Sequence, residues 1–525
     1  MVNGTLKDRP MLWTLVPAAA VLVLAAWLRG AEYDEQYTLF LTAGLPRPDW
    51  PETAFPAGLA RSLQSGRGGL AAIGHDLRVT DVHPPLYFWL LSLWRQAFGD
   101  TLFAARLFSV ACGLGALALT GTIATAARVP AARAMLLTLG CYGFTYTCVI
   151  ARGFALAQLL LLGGAACLSM GRRTWHFAAA GALFGAAALT NYLSVFVAGA
   201  CLAAAGAFRV WPFPHRHGPA RPHTHQDNAA AGEDFGAWRH PLARFIAATF
   251  GFLVFMPAVL WWFLAQKGSR QGQFPPFELL PSLIRLAGRA AGALLGGLPL
   301  YVDGVWRTVV SGLLGCLLAA LAIAVLRHPA RANDAHRLFA LATIASPLGL
   351  LALGLLFNST PIELRYLAFS LPFAALLLAG ALGPRLFAVL LLVQTAAIAG
   401  LIHAPQTMQP GQDAARSAAA LAGDGIVLLP KGNDGVGVPG AFAIEAPPSL
   451  PILLIRGGET PDQIRARLTP WRRVVLAPLE QDDASQAASR AMRAAIATPE
   501  WREVAHRGLV AVYERTGGAA PAGGE

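Results

Sequence analysis

Charge is what this sequence has least of. Only 13% of its 525 residues are Asp, Glu, Lys or Arg, about half of the roughly 25% usual in soluble domains. Hydrophobic residues make up 55%, and the mean hydropathy is +0.50. A core surrounded by water cannot absorb that much apolar sequence, which excludes a soluble enzyme or binding module. Cysteine is sparse and confined: Cys112, Cys141, Cys148, Cys167, Cys201 and Cys316 all fall inside apolar runs. No disulfide is predicted, and the six read as small core hydrophobes. There is no internal repeat, and the apolar runs carry almost no ionisable residues. Both features speak against a secondary transporter, whose substrate path usually runs through repeated, interrupted helices with charged groups at mid-membrane.

What is present is long apolar sequence. Runs such as Met11 to Leu28 and Leu102 to Ala127 approach the ~20 residues that cross a bilayer as a helix. Lipid offers the backbone no partner, so each run is expected to be helical. Spans are predicted near 11–28, 102–126, 134–150, 154–171, 175–190, 192–208, 243–265, 305–326, 338–357, 365–382 and 385–403. The net charge of +12 would suggest nucleic acid if the arginines shared one folded surface, but they sit in short connections. With a cytoplasmic N-terminus, Arg128 and Arg133, Arg172 and Arg173, the stretch 209–242, Arg327 to Arg337 and Arg385 share one side, as the positive-inside rule requires. The first run has the basic flank of a signal peptide, yet its length and its Trp27-Leu28-Arg29 end predict an uncleaved helix. Alanine and arginine far outweigh lysine, a composition of GC-rich bacteria, so the expected location is the bacterial inner membrane.

The fold class expected is therefore an all-α polytopic membrane domain of about 11 helices, residues 1–403, with a small C-terminal periplasmic α/β domain, residues 404–525. The outer side receives residues 29–101, the turns at Arg152 and Asn191, the loops 266–304 and 358–364, and the tail. Pro84 to Phe98 is apolar but short, and Trp89, Trp94, Arg95 and Gln96 predict a helix lying along the outer membrane surface. In the tail, Ile426 to Leu429, Ile452 to Ile455 and Val474 to Leu476 read as strands alternating with helices. Gly435-Val436-Gly437-Val438-Pro439-Gly440 matches a dinucleotide-binding pattern formally, but no helix is expected after it, and a loop is predicted. His215, His217, His223 and His225 lie in a polar cytoplasmic stretch where adventitious metal binding is the expected outcome.

Two stretches of the first outer loop carry the chemistry. Glu32-Tyr33-Asp34-Glu35 sets carboxylates at the membrane face, where one could take a proton from an acceptor hydroxyl. By spacing alone this reads equally as the solvated start of a helix. Asp81-Val82-His83-Pro84-Pro85-Leu86-Tyr87 uses its prolines to launch a helix and leaves His83 ahead of it, where it can bind an anion, coordinate a metal or orient a carboxylate such as Asp81 or Asp34; a lone histidine is more often structural. Taken together and in order, the two stretches resemble the signature of the multi-spanning GT-C glycosyltransferases. That group, of glycosyltransferase family 39 type, includes protein O-mannosyltransferases, the aminoarabinose transferase that modifies lipid A, and lipopolysaccharide-core transferases. The resemblance extends to Arg106, Arg152 and Arg365-Tyr366, and becomes vague beyond about residue 400.

The resemblance implies an inverting glycosyltransferase acting on a polyprenyl-phosphate-linked sugar. Its acceptor would be a glycolipid, lipopolysaccharide, polysaccharide or protein, with no nucleic acid involved. Asp34 is the implied catalytic base, with Glu35 assisting it. His83 stands at the motif position of the protein O-mannosyltransferases, where the aminoarabinose transferase carries lysine instead, and His83 and Asp81 are expected substrate or phosphate contacts. Arg152, Arg365 and Tyr366 are the expected phosphate-side contacts, with Lys267 and Arg270 as contributors from the 266–304 loop. Arginine suits a departing phosphate because its fork matches two oxygens, although arginine at helix ends also snorkels for purely structural reasons. No cofactor is implied with certainty; some relatives hold a divalent metal near these carboxylates. A lipid or sugar transporter or flippase is the alternative, and a receptor or scaffold with a membrane anchor is the third reading.

Overall fold

The computed structural model describes residues 9–171, 173–207, 235–268, 274–328, 334–403 and 410–516. The first run forms α1 (Arg9–Leu28), and after a sharp turn the chain enters α2 (Tyr33–Ala43), bent from α1 by 87°. The first connection continues through the short strand β1 (Phe55–Pro56), α3 (Gly58–Gln64), α4 (Leu70–Thr80) and α5 (Leu86–Phe98). The bundle then runs through α6 (Leu102–Ala126), α7 (Ala131–Gly140), α8 (Tyr142–Cys148), α9 (Phe154–Met170), α10 (Thr174–Ala188), α11 (Ser194–Ala207), α12 (Phe235–Leu253) and α13 (Met256–Gln266). It closes with α14 (Leu279–Leu295), α15 (Val305–Arg327), α16 (Asp334–Phe357), a 3-10 turn Leu364–Ser370 leading into α17 (Leu371–Ala381), and α18 (Pro384–His403).

Apolar length alone suggests eleven straight spans; tertiary structure divides them differently. Among the described residues five helices are long and apolar enough to cross a membrane, or up to seven if each bent pair is one span. The run expected at 134–150 breaks at Cys141 into α7 and α8, and the run at 243–265 bends by 41° between α12 and α13. Small residues set the packing. A Cβ on Gly181 of α10 would collide with the Ala248 carbonyl of α12, and one on Gly251 with the Ala178 carbonyl, so these two helices meet backbone to backbone as membrane helices commonly do.

Two other sequence expectations change. The 266–304 segment, read as a loop, contains the 17-residue α14, whose leucines at 279, 280 and 283 face outward while Ser282, Leu286 and Ala293 are buried. On α5 the polar residues part company: Gln96 is exposed, whereas Arg95 points into the protein at 3% exposure, and Leu93 and Phe98 are exposed. The Arg95 guanidinium donates to the Leu39 carbonyl (3.0 Å), Thr42 Oγ1 and the Gln64 carbonyl. Carbonyls at the end of a helix have no intrahelical donor, and for α3, which ends at Gln64, Arg95 supplies one.

The tail begins with α19 (Pro410–Leu421) and continues β2 (Ile426–Pro430), α20 (Gly437–Glu445), β3 (Pro451–Ile455), α21 (Pro461–Arg467), β4 (Arg473–Leu476), α22 (Asp483–Ile496), β5 (Trp501–Arg507) and β6 (Val510–Arg515). The sheet order is β1-β3-β2-β4-β6-β5. Strands β3, β2 and β4 are mutually parallel, and β1, β6 and β5 join antiparallel. β1 comes from the first connection and pairs Phe55 with Ile452, so this sheet is assembled from both ends of the sequence. The expectation that no helix follows Gly435 to Gly440 is overturned: α20 starts at Gly437.

Candidate active site

A cavity of about 890 Å³ lies between the bundle and the tail. Asp34, Asp81, Arg152 and Arg365, drawn from four separate stretches of sequence, line it together with Glu32, Arg47 and Phe274. α2 presents Asp34 because its first turn is fixed by Glu35: the Glu32 amide donates to Glu35 Oε2 at 3.0 Å, and the Glu35 amide to the Glu32 carbonyl at 3.2 Å. Two consecutive helix residues point about 100° apart, so α2 cannot aim both carboxylates at the same space.

Glu35, expected as a second catalytic carboxylate, does not line the cavity and is fully buried. It forms a bidentate ion pair with Arg106 of α6, with Nε to Oε1 at 2.8 Å and Nη2 to Oε2 at 2.6 Å, and accepts from the Ala151 amide at 2.8 Å. Arg106 also donates to the carbonyls of Ala26 (2.9 Å), Arg29 (2.6 Å) and Gly30 (2.7 Å) at the end of α1. The pair therefore ties α1, α2, α6 and the α8–α9 link into one joint directly behind Asp34.

Asp34 forms an ion pair with Arg365, from the 3-10 turn. Both side chains are partly exposed, at 17% and 24%, so a ligand can reach them. Arg365 also lies 5.5 Å from the Tyr366 ring centre; Tyr366 itself is buried and does not line the cavity. Arg152 is buried at the α8–α9 turn, donates to Thr38 Oγ1 at 3.3 Å, and keeps its place on the cavity wall. Lys267 is exposed at the end of α13 and outside the lining. Arg270 and the histidines at 215, 217, 223 and 225 lie outside the described residues.

Asp81 and His83 act as a unit. Asp81 Oδ1 accepts from the Val82 amide (2.6 Å) and meets His83 Nδ1 at 2.9 Å. Burial pushes the Asp81 carboxyl up, but His83, Arg152 and the Val82 amide outweigh it and hold it well below the ordinary carboxylate range. A folded-state value below the unfolded value of about 3.9 stabilises the fold above about pH 4, and that contribution is lost as pH falls below it. His83→Ala is expected to flatten the acid side of the stability curve, read by thermal unfolding in detergent from about pH 7 to about pH 3. Among the described residues no three His, Cys, Asp or Glu side chains converge, so the carboxylates and histidine present do not form a ready metal site.

The cavity's other wall was not legible in the first loop, because the tail supplies it. Tyr37 donates to Asp434 Oδ2 at 2.8 Å, and Tyr33 to Asp482 Oδ2 at 3.4 Å. Both tyrosines stand on α2, one on each side of Asp34 in sequence, so the tail grips the helix that carries the candidate base. The glycine pattern serves that grip. Gly435 has φ +75°, a Cβ on Gly437 would collide with the Tyr33 ring, and one on Gly440 would sit 2.8 Å from Gln36 Oε1. The pattern that imitates a nucleotide loop is a seat for α2. Gly437→Ala is expected to destabilise the fold by about 1–3 kcal/mol through overpacking. Gly458→Ala, which meets nothing within 4 Å, is the control, and thermal unfolding compares the two.

No protein-family model matches the sequence, and no curated protein matches it. Solved structures do. ArnT from Cupriavidus metallidurans in the apo state is 14% identical, with a TM-score of 0.42 over 97% of this chain and 98% of that one. The same protein bound to undecaprenyl phosphate is 14% identical, with a TM-score of 0.41 over 99% and 100%. The Archaeoglobus fulgidus oligosaccharyltransferase in the apo form is 12% identical, with a TM-score of 0.42 over 89% of this chain and 69% of that one. At this level of superposition none of them assigns a role to a residue here.

Proposed function

We propose that this chain is a GT-C-type membrane glycosyltransferase that moves a sugar from a polyprenyl-phosphate carrier to an acceptor hydroxyl, with inversion, on the outer face of a bacterial inner membrane. The observation that carries the reading is the Asp34–Arg365 ion pair on the wall of a large cavity, with Arg152 and Asp81 on the same lining. A base and phosphate-matching cations stand together beside apolar helices that could hold the carrier's lipid tail.

Asp34 takes the proton of the acceptor O–H as that oxygen attacks the anomeric carbon. The bond from that carbon to the phosphate oxygen breaks, and its electron pair leaves on the phosphate. Arg365 and Arg152 neutralise the developing charge. In the free protein Arg365 occupies Asp34; an arriving phosphate competes for the guanidinium and leaves the carboxylate available to the hydroxyl. Asp81 keeps its negative charge by virtue of His83, which suits it to orient an acceptor or balance Arg152 more than to exchange protons.

The test is transfer from radiolabelled polyprenyl-phosphate sugars to acceptors in membranes containing the protein. Transfer from at least one donor is expected, and Arg365→Ala is expected to lower its efficiency about 10- to 100-fold, the loss of a charge-assisted hydrogen bond. Failure of every donor would overturn the reading and bring lipid or sugar transport forward.

A further inference from the structure

The cavity's two walls differ in charge, and the tail's wall has the topology of a ligand site. β2 lies between β3 and β4, parallel to both. α20, which follows β2, packs with Val427 and Leu429 on one face of the sheet through Val438 and Phe442. α22, which follows β4, packs with Ile426 and Leu428 on the other face through Ala488 and Met492. The chain thus leaves the carboxyl ends of adjacent parallel strands toward opposite faces. Open α/β sheets bind ligands in the crevice such a divergence creates, and this crevice opens into the cavity that contains Asp34.

The side chains at the crevice are Asn433 and Asp434 after β2, and Gln481, Asp482, Asp483 and Gln486 after β4. Asp434 and Asp482 are committed to Tyr37 and Tyr33 and cap the adjoining turns through the Val436 and Ser485 amides, so the crevice is built before a ligand arrives. Amides, which donate and accept, together with carboxylates, which accept, match the vicinal hydroxyls of a sugar. Outside the tail the lining carries both signs, Arg47, Arg152 and Arg365 with Glu32, Asp34 and Asp81, whereas the tail contributes three aspartates and no Lys or Arg. A separate observation also points to a ligand: Asp81 is 8% exposed and lines the cavity, yet its buried Oδ2 has no hydrogen-bond partner, an unsatisfied acceptor that a small side-chain rotation would offer to a hydroxyl.

We infer that the switch-point crevice of the tail is the acceptor subsite and that it takes an uncharged or amine-bearing sugar in preference to a phosphorylated one. The inference rests on the glycosyltransferase reading for its meaning. The carrier phosphate goes to the arginines, where opposite charge receives it. The acceptor sugar goes to the aspartate and amide wall, which would repel a second phosphate. This placement directs an acceptor hydroxyl toward Asp34 and keeps the two substrates from exchanging sites.

The test titrates the full-length protein in detergent with N,N′-diacetylchitobiose, its free-amine counterpart chitobiose, and N,N′-diacetylchitobiose 1-phosphate, following binding by saturation-transfer NMR. Undecaprenyl phosphate is titrated in parallel. The neutral and amine-bearing disaccharides are expected to bind more tightly than the phosphorylated one. The double variant Asp483→Lys, Gln486→Lys changes two exposed positions and is expected to weaken both by at least about tenfold while leaving undecaprenyl phosphate binding unchanged. The inference is overturned if the 1-phosphate binds best, if no disaccharide binds the wild type, or if the double variant binds like the wild type. Undecaprenyl phosphate binding by the variant shows that the bundle is intact. Its absence in the wild type would count against the donor reading alone, because sugar binding is read independently.

Discussion

Asp34→Asn is expected to lower sugar transfer at least about 10²-fold while the protein inserts and accumulates as the wild type does. Asparagine keeps the shape of the side chain and an oxygen for Arg365, but it cannot take a proton from a hydroxyl, and general-base contributions run to about 10²–10⁴-fold. The substitution is mild structurally because Asp34 stands on the cavity wall at 17% exposure, paired with a guanidinium that is itself partly exposed. Transfer from a labelled polyprenyl-phosphate sugar in purified membranes, normalised to protein amount, reads the effect. An Asp34→Asn variant as active as the wild type would remove Asp34 from catalysis. Asp81 would then be a poor replacement, since His83 and Arg152 hold its carboxyl too acidic to be an effective base.

The second large effect is structural. Arg106→Ala is expected to cost about 3–5 kcal/mol, the penalty for stranding a buried charge, against a total stability of about 5–15 kcal/mol for a typical fold. The side chains of Glu35 and Arg106 are 0% and 3% exposed, so water cannot replace the missing partner, and three carbonyls at the end of α1 lose their donor as well. The expected result is a protein that fails to accumulate in membranes, read by immunoblot. Glu35→Gln leaves an oxygen facing the guanidinium and is expected to be tolerated better. Replacing both with Met and Leu removes the stranded charge and should recover part of the loss, though not the carbonyl contacts. Equal accumulation of Arg106→Ala and wild type would show that the joint behind Asp34 is not structural.

Asp34, Asp81, Arg152 and Arg365 could be picked out because the stretches that carry them resemble the GT-C signature; spacing and hydropathy alone left each open to a purely structural reading. Glu35 could not be separated from Asp34 on that basis. Their different fates depend on the rotation of one helix residue and on an arginine 71 positions away. The partners of Arg95 were hidden for a related reason: an amphipathic pattern locates a polar residue on a helix but does not say whether water or another helix's carbonyls will satisfy it. The glycines at 435, 437 and 440 carried a pattern whose customary meaning is a phosphate. Here the same absence of side chains admits Tyr33 and Gln36.

The sequence by itself determined that the chain needs an apolar solvent, where its helices would form, and which short segments could carry chemistry, because these follow from composition and local periodicity. Tertiary structure decided how the apolar runs break, which carboxylate faces the cavity, and that the tail forms one of its walls. Those outcomes depend on contacts across hundreds of residues, such as Tyr37 with Asp434 and Phe55 with Ile452, and a linear pattern holds no record of which distant donor will reach which acceptor.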